Sequence, residues 1–247
     1  MKKLALQDLT QLEILQGSTS LIYAISGTII GLMIAAKYLK HDKKELLGIG
    51  ISLALITAPW YGAGISFLTI ILFDSILNDS LYFFINYGLI AFALISWMYG
   101  ISILIFPKWI KKNVIISLII CIPYEIILIV FLIINPSMVG TKQGKFNSDS
   151  ALLPTVFIIF GLLVTLITML MFIKECMRSE NLKIKWQGRF LLIAVILLII
   201  GSFMDAMITI SPLILIITKI ILMIRLIFSY LGWLLPKNVA NWLVKED

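Results

Sequence analysis

The fold is decided by one long apolar run near the C-terminus, residues 190–235, which reads FLLIAVILLIIGSFMDAMITISPLILIITKIILMIRLIFSYLGWLL. Each half of this run is long enough to cross about 30 Å of hydrocarbon, which takes a helix of about 20 residues. Only Ser211 and Pro212 separate the halves, and a proline disfavours helix in the residue before it. We therefore predict two spans joined by a tight turn. One long kinked helix is the alternative, and it would move the C-terminus to the other side of the membrane.

The whole chain has the composition of a membrane protein. It is 61% hydrophobic and 13% charged, against roughly 45–50% and about 25% in soluble domains. Lipid offers no water to unpaired backbone groups, so every span must be helical. We predict an all-α integral membrane protein, a seven-transmembrane-helix bundle that occupies 19–235. The predicted spans are 19–37, 47–73, 82–106, 114–135, 151–174, 190–210 and 212–235.

The two ends of the chain predict short amphipathic segments that flank the bundle. The segment 1–18 repeats leucine at helical spacing before span 1, and the tail 236–247 carries Trp242 on its apolar face. Such segments lie in the headgroup region of a bilayer. Tryptophan favours that interface, so Trp242 is expected to anchor the tail.

The basic residues predict the orientation. Fourteen lie in or beside the connections 38–46, 107–113 and 175–189 and the tail after 235, and only four lie on the other side. Lysine and arginine are enriched in short cytoplasmic loops. We therefore expect the N-terminus outside, the C-terminus in the cytoplasm, and the plasma membrane as the location. The net charge of +7 then serves topology and lipid headgroups rather than nucleic acid.

A faint internal repeat is a further hypothesis. Spans 3 and 7 each carry a tyrosine and a glycine near the inner end, and each stops at a proline-lysine pair, Pro107-Lys108 and Pro236-Lys237. With span 4 as a linker, the chain would form two parallel triplets, a 3+1+3 arrangement. The alternative is ordinary punctuation, since proline stops helices.

Small residues and prolines indicate how the spans pack. Gly27, Gly31 and Ala35 form a small-residue row in span 1, which lets two helix backbones approach closely. This row predicts packing within the bundle, with contact between protomers of a homo-oligomer as the alternative. Pro59 in span 2 and Pro123 in span 4 each remove a backbone hydrogen bond and are expected to open their helices locally.

The charges inside the spans are the most informative residues. A lone charge at the bilayer centre costs at least about 2.5–3.5 kcal/mol, so Glu125, Asp205, Lys219 and Arg225 should be paired. Depth counted at about 1.5 Å per residue matches Asp205 with Lys219 and Glu125 with Arg225. These pairs could hold the bundle together or bind a polar ligand, an ion or a proton.

Lys219 in the last span resembles the retinal-binding lysine of microbial rhodopsins, which also have seven helices and an external N-terminus. The resemblance is limited to this topology. The position four residues before the lysine is Leu215, where that family has an aspartate, and the stretch 91–97 of span 3 carries no charge. No cofactor is predicted.

Enzymatic motifs are missing from the sequence. The single histidine, His41, lies in a loop, so no serine–histidine pair can form within the membrane. There are too few histidines and cysteines for a zinc site, and the chain has no Gly-x-x-x-x-Gly-Lys phosphate loop. We predict neither catalytic residues nor a metal.

The leading functional hypothesis is a sensor or receptor-like subunit that binds a small polar ligand or ion in a midplane pocket and signals to a cytoplasmic partner. Its predicted ligand-binding residues are Trp60, Tyr61, Tyr124, Glu125, Asp205, Lys219 and Arg225. A transporter of small solutes or ions is the first alternative. A scaffold that assembles with a membrane partner is the second. The sequence does not identify the ligand.

Overall fold

Among the residues that the computed structural model describes, seven helices are long and apolar enough to cross a membrane. The structure describes residues 2–3, 6–207 and 211–243. As found, spans 1 to 7 cover Gln11–Leu39, Lys44–Phe73, Asp79–Ile105, Pro107–Ile134, Leu152–Arg178, Leu182–Asp205 and Pro212–Leu234. Spans 6 and 7 are two separate helices packed side by side, as the Ser211-Pro212 break predicts. The chain is a multi-pass α-helical integral membrane protein.

The helices within these spans have defined bounds. The α-helices are Gln11–His41, Lys44–Leu55, Tyr61–Phe73, Asp79–Phe83, Leu89–Ile105, Ile110–Ile134, Leu152–Arg178, Leu182–Met207, Pro212–Leu234 and Lys237–Leu243. Short 3₁₀ turns are Leu6–Asp8, Ala58–Trp60, Pro107–Trp109 and Pro136–Met138, and Phe84–Gly88 is a π-helical turn. The strands are Lys2–Lys3 paired with Ser75–Ile76, and Gly140–Gln143 paired with Asn147–Ser150.

The terminal segments differ in how well they match the prediction. Residues 11–18 are the first two turns of span 1 rather than a separate helix, because Thr10 and Glu13 form a capping box that starts the helix at Gln11. The tail does form its own short helix, Lys237–Leu243. The rest of the predicted tail, 244–247, lies outside the described residues.

The two prolines within spans behave differently. Pro59 lies in the 3₁₀ turn Ala58–Trp60, which divides span 2 into two helices as predicted. Pro123 lies inside the helix Ile110–Ile134, which continues past it. Pro123 has no backbone N–H to donate, and the local opening of span 4 stays a prediction.

Six spans form a closed ring around the interior. Span 1 packs against span 2, span 2 against span 3, span 3 against span 5, and spans 5, 6 and 7 follow in order until span 7 returns to span 1. Span 4 packs on the outside of span 3, and its Tyr124 ring stacks on Phe157 of span 5 at 3.6 Å. Residues on span 4 are therefore separated from the interior of the ring by span 3 and span 5. The repeat itself stays a prediction.

One end of the bundle, here named the hairpin end, is covered by a β-hairpin over 140–150. Lys145 Nζ donates to Asp8 O at 2.7 Å and lies 3.4 Å from Glu13 Oε2, which ties the hairpin to the start of span 1. Lys142 Nζ lies 2.8 Å from Asp79 Oδ1 at the start of span 3. Ion pairs and backbone acceptors thus hold the hairpin across the end of the ring.

The opposite end, here named the basic end, is tightly packed. Gly31 has no room for a side chain, since a Cβ there would lie 2.5 Å from Ala54 N and 2.6 Å from Gly50 O of span 2. Gly27 is similarly close to Thr57. The small-residue row of span 1 therefore packs within the bundle, against span 2.

An apolar cluster, here named the plug, fills the interior toward the basic end. It consists of Ile34, Leu46, Ile49, Leu53, Trp97, Ile101, Met169, Ile173, Leu191, Val195 and Trp233. The Trp97 and Trp233 rings meet edge to face at 6.2 Å, and Phe172 stacks on Trp233 at 5.3 Å. Trp97 Nε1 donates to Thr168 Oγ1 at 2.9 Å. Aromatic pairs and a buried hydrogen bond fix this part of the core.

Candidate functional site

The ion pair predicted between spans 6 and 7 is formed. Lys219 Nζ lies 3.0 Å from Asp205 Oδ1. The Lys219 side chain is 9% exposed and that of Asp205 is 35% exposed, so the cation lies deeper than its partner. Lys219 lies seven residues after Pro212, about 10 Å below the hairpin end of span 7.

The break in span 2 brings a tryptophan to this pair. Pro59 lacks a backbone N–H, and the 3₁₀ turn that contains it ends at Trp60. Trp60 Nε1 donates to Asp205 Oδ2 at 2.8 Å, and Lys219 Nζ lies 5.2 Å from the centre of a Trp60 ring. Both carboxylate oxygens of Asp205 are therefore occupied, one by lysine and one by tryptophan.

The second predicted pair, Glu125 with Arg225, is wrong. Arg225 Nη1 instead donates to the hydroxyl of Tyr23 at 2.8 Å. Glu125 lies on span 4, outside the ring, with its carboxylate toward Gly88 of span 3. Its buried Oε1 has no hydrogen-bond partner among the described residues. Glu125 and Arg225 were matched by their depth along the membrane. However, span 3 lies between Glu125 and the interior of the ring.

Tyr23 joins Arg225 to the Asp205–Lys219 pair. It is fully buried, and its ring meets that of Trp60 edge to face at 4.9 Å. The contacts therefore run without a gap from Arg225 through Tyr23 and Trp60 to Asp205 and Lys219. We name these five residues the relay cluster. Sequence reasoning missed Tyr23, because a lone tyrosine in an apolar run gives no signal.

The two remaining predicted residues have structural contacts away from this cluster. The Tyr61 hydroxyl donates to Ala54 O at 2.7 Å and lies 2.7 Å from Thr28 Oγ1. The Tyr124 hydroxyl donates to Tyr87 O at 3.2 Å. Neither residue lines the cavity described next, and neither do Glu125 and Arg225.

A cavity of about 700 Å³ lies inside the ring, beneath the hairpin. Residues 146–150 of the hairpin form its roof, and its walls come from the six ring spans. It reaches Thr165, half-way along span 5, and none of the plug residues line it. The cavity thus runs from the hairpin end to the middle of the bundle.

Lys219, Asp205 and Trp60 all line this cavity. Beside them lies Thr218, which is 1% exposed and whose Oγ1 has no hydrogen-bond partner among the described residues. Buried polar atoms are normally hydrogen-bonded, so the hydroxyl of Thr218 has unused hydrogen-bonding capacity next to Lys219. The sequence pointed to Lys219 but gave no reason to single out its neighbour.

Spans 3, 5 and 6 contribute both aliphatic and polar side chains to the cavity. The aliphatic ones are Ile90, Leu94, Ile158, Leu162 and Leu198, and the polar ones include Tyr82, Tyr87, Thr165 and Ser202. Small-molecule sites combine apolar surface with a few convergent polar groups. In the part of the chain that the structure describes, no three His, Cys, Asp or Glu side chains come together as a metal site.

Comparisons with protein-family models, with curated proteins and with solved structures find no match to this chain. The fold therefore defines the class of this protein. It is a multi-pass membrane protein with seven apolar helices in the part of the chain that the structure describes.

Proposed function

We propose that this protein is a receptor-like membrane sensor that binds a small polar ligand in the cavity beneath the hairpin. One observation carries the proposal. The cavity holds a buried lysine, its carboxylate partner and an orphan hydroxyl, and it ends against the plug of buried apolar residues. A ligand would enter from the hairpin end and stop within the bundle.

The charge distribution supports an external cavity. The hairpin end carries few basic residues, and the basic end carries fourteen at its connections and span ends. The positive-inside rule then assigns the basic end to the cytoplasm. With that orientation the hairpin and the cavity mouth face outward in the plasma membrane, and the plug faces the cytoplasm.

The relay cluster supports a route for the signal. A ligand at Lys219 competes for its contact with Asp205, and Asp205 also holds Trp60 at the span 2 break. Trp60 packs on Tyr23, which binds Arg225 six residues further along span 7, about 9 Å closer to the cytoplasm. Binding would shift the population between two arrangements of spans 1, 2 and 7, and a cytoplasmic partner would read the change.

A transporter is the second candidate, and one feature favours it. Span 4 lies outside the ring, where a linker between two parallel triplets would be placed. Transport would require the plug to open, with loss of the Trp97–Thr168 hydrogen bond and the Trp97–Trp233 contact. The scaffold hypothesis has less support, because the small-residue row of span 1 is used within the bundle.

Two measurements on purified protein test the proposal. Thermal unfolding with a panel of polar solutes should reveal a stabilising ligand for wild type, and none for the double variant Lys219→Met, Asp205→Leu, which removes both charges together. The matched control is Arg178→Met, Glu175→Leu, since that pair is exposed at the basic end with a 3.7 Å separation; it should keep the response. Flux of the bound solute through proteoliposomes would overturn the sensor in favour of the transporter.

A further inference from the structure

We infer that the ligand of the cavity is a small monocarboxylate with a short aliphatic body, whose carboxylate binds Lys219 Nζ and Thr218 Oγ1. This inference rests on the proposed function and names the chemical class of its ligand. Three independent features lead to it: the charge balance of the relay cluster, the unused hydrogen-bonding capacity beside Lys219, and the aliphatic side chains that line the cavity.

The relay cluster has an excess of one positive charge. Lys219 and Arg225 are 7% and 2% exposed, and Asp205 is the only acidic residue among the five. Within the described residues no carboxylate lies within ion-pair distance of Arg225. An unneutralised buried cation is costly, so a single anion in the adjoining cavity would be attracted. A dianion would exceed the charge that the cluster can neutralise.

Hydrogen-bonding capacity places the anion at one spot. The Lys219 ammonium has three donors and is recorded with one acceptor, Asp205. Thr218, the preceding residue of span 7, also lines the cavity, and its buried hydroxyl has no hydrogen-bond partner among the described residues. A carboxylate has two oxygens that can accept one bond from each residue. A primary ammonium would instead meet Lys219 as a like charge, and both oxygens of Asp205 are already occupied.

Aliphatic side chains in the cavity fit a short alkyl chain. Ile90, Leu94 and Leu198 line it and offer apolar surface against which such a chain can pack. Each buried methylene should raise the affinity about fourfold until the cavity is filled. Asp149 at the hairpin roof already accepts a hydrogen bond from Gln143 Nε2 at 2.8 Å. Its carboxylate therefore does not favour a ligand with a cationic group.

The test measures how tightly three ligands of equal length bind to the whole chain in nanodiscs. The ligands are hexanoate, hexan-1-ol and hexylammonium. Binding is followed by thermal unfolding and by Trp60 fluorescence, with Trp60→Phe to identify the signal. Hexanoate should bind, and the alcohol and the amine should bind at least about tenfold more weakly, as expected for loss of a charge-assisted bond. Stronger binding of the amine would overturn the inference.

Variants then locate the carboxylate. Thr218→Val should weaken hexanoate about tenfold, whereas Thr165→Val, a threonine on the far wall of the same cavity, should not weaken it. Asp205→Asn removes the internal competitor for Lys219 and should tighten hexanoate about tenfold. Equal effects of the two threonine variants, or weaker binding of hexanoate to Asp205→Asn, would contradict the placement of the carboxylate at Lys219 and Thr218.

The inference and the proposed function fail in different ways. If hexanoate does not bind but another solute stabilises wild type and not the Lys219→Met, Asp205→Leu variant, the carboxylate assignment is wrong and the sensor proposal stands. If no solute of any class binds, both are wrong.

Discussion

At the scale of single residues, depth along the membrane was predictable and direction around each helix was not. Counting residues placed Asp205 level with Lys219, and spans 6 and 7 pack side by side, so that pair forms. Counting also placed Glu125 level with Arg225. Nothing in the sequence shows that span 4 lies outside the ring, against span 3. Tyr23 became the partner of Arg225 because span 1 closes the ring against span 7.

The first prediction concerns the partner of Arg225. Tyr23→Phe should lower the free energy of unfolding by about 1–3 kcal/mol, because it leaves a buried guanidinium without its acceptor. Glu125→Gln should change it by no more than about 0.5 kcal/mol, since that carboxylate has no cation partner to lose. Chemical unfolding in detergent measures both.

Double-mutant cycles with Arg225→Met separate the two pairings. Tyr23→Phe should couple to Arg225→Met by at least about 0.5 kcal/mol, and Glu125→Gln should not couple to it. If Glu125→Gln recovered the stability that Arg225→Met loses, the result would support a Glu125–Arg225 pair and contradict the structure.

At the scale of elements, the sequence predicted every span but not the structures at the hairpin end. Apolar length is a local property, so seven helices could be read directly. The β-hairpin could not, because its stability comes from distant residues: Phe146 packs on Phe67 at 5.8 Å, and Lys145 reaches Glu13. For the same reason the sequence did not predict that residues 146–150 form the roof of the cavity. Proline positions were partly informative, since Pro59 ends a helix and Pro123 does not.

The second prediction tests helix packing with two glycines. Gly31→Ala should destabilise by about 1–3 kcal/mol, because the new methyl group would meet the backbone of Ala54 in span 2. Gly161→Ala is the matched control, since its nearest neighbour is an ordinary 3.9 Å contact. That change should be neutral or stabilise by up to about 1 kcal/mol through helix propensity. Similar losses at both sites in unfolding measurements would contradict the packing described here.

The third prediction tests the hairpin. Phe146 is 3% exposed and Phe73 is 69% exposed, which makes them a matched pair for removal of a ring at the hairpin end. Phe146→Ala should speed hydrogen exchange of the amides in 140–150 by at least about tenfold. Opening of the wild-type hairpin exposes the buried Phe146 ring, and the variant does not have this cost. Phe73→Ala should leave those amides unchanged. Unaltered exchange in Phe146→Ala would show that the hairpin is held by other contacts.

At the scale of the whole molecule, asymmetry is the main feature. A cavity runs from the hairpin end to the middle of the bundle, and the plug fills the other end. The charges are equally uneven, because the basic residues concentrate at the plug end. The sequence predicted the charge asymmetry but not the extent of the cavity, since apolar residues look alike whether they line a cavity or fill a core.

The fourth prediction is the orientation. Cys121 and Cys176 are buried, so single cysteines introduced at the two ends should give little background. Ser148→Cys on the hairpin should react with an impermeant thiol reagent added outside intact cells, and Lys111→Cys at the basic end should react only after permeabilisation. The opposite result would reverse the positive-inside assignment.

The central claim, a cavity that is reached only from the hairpin end, is tested most directly by the accessibility of Thr165. This half-buried residue lines the cavity half-way along span 5, and Thr165→Cys nearly keeps the size of the side chain. It should react with a small anionic thiol reagent added on the side where Ser148→Cys reacts, and not from the other side. Ser229→Cys, 4% exposed and away from the cavity, should react from neither. Reaction of Thr165→Cys from the basic end, or no reaction while Ser148→Cys is fully labelled, would contradict the account.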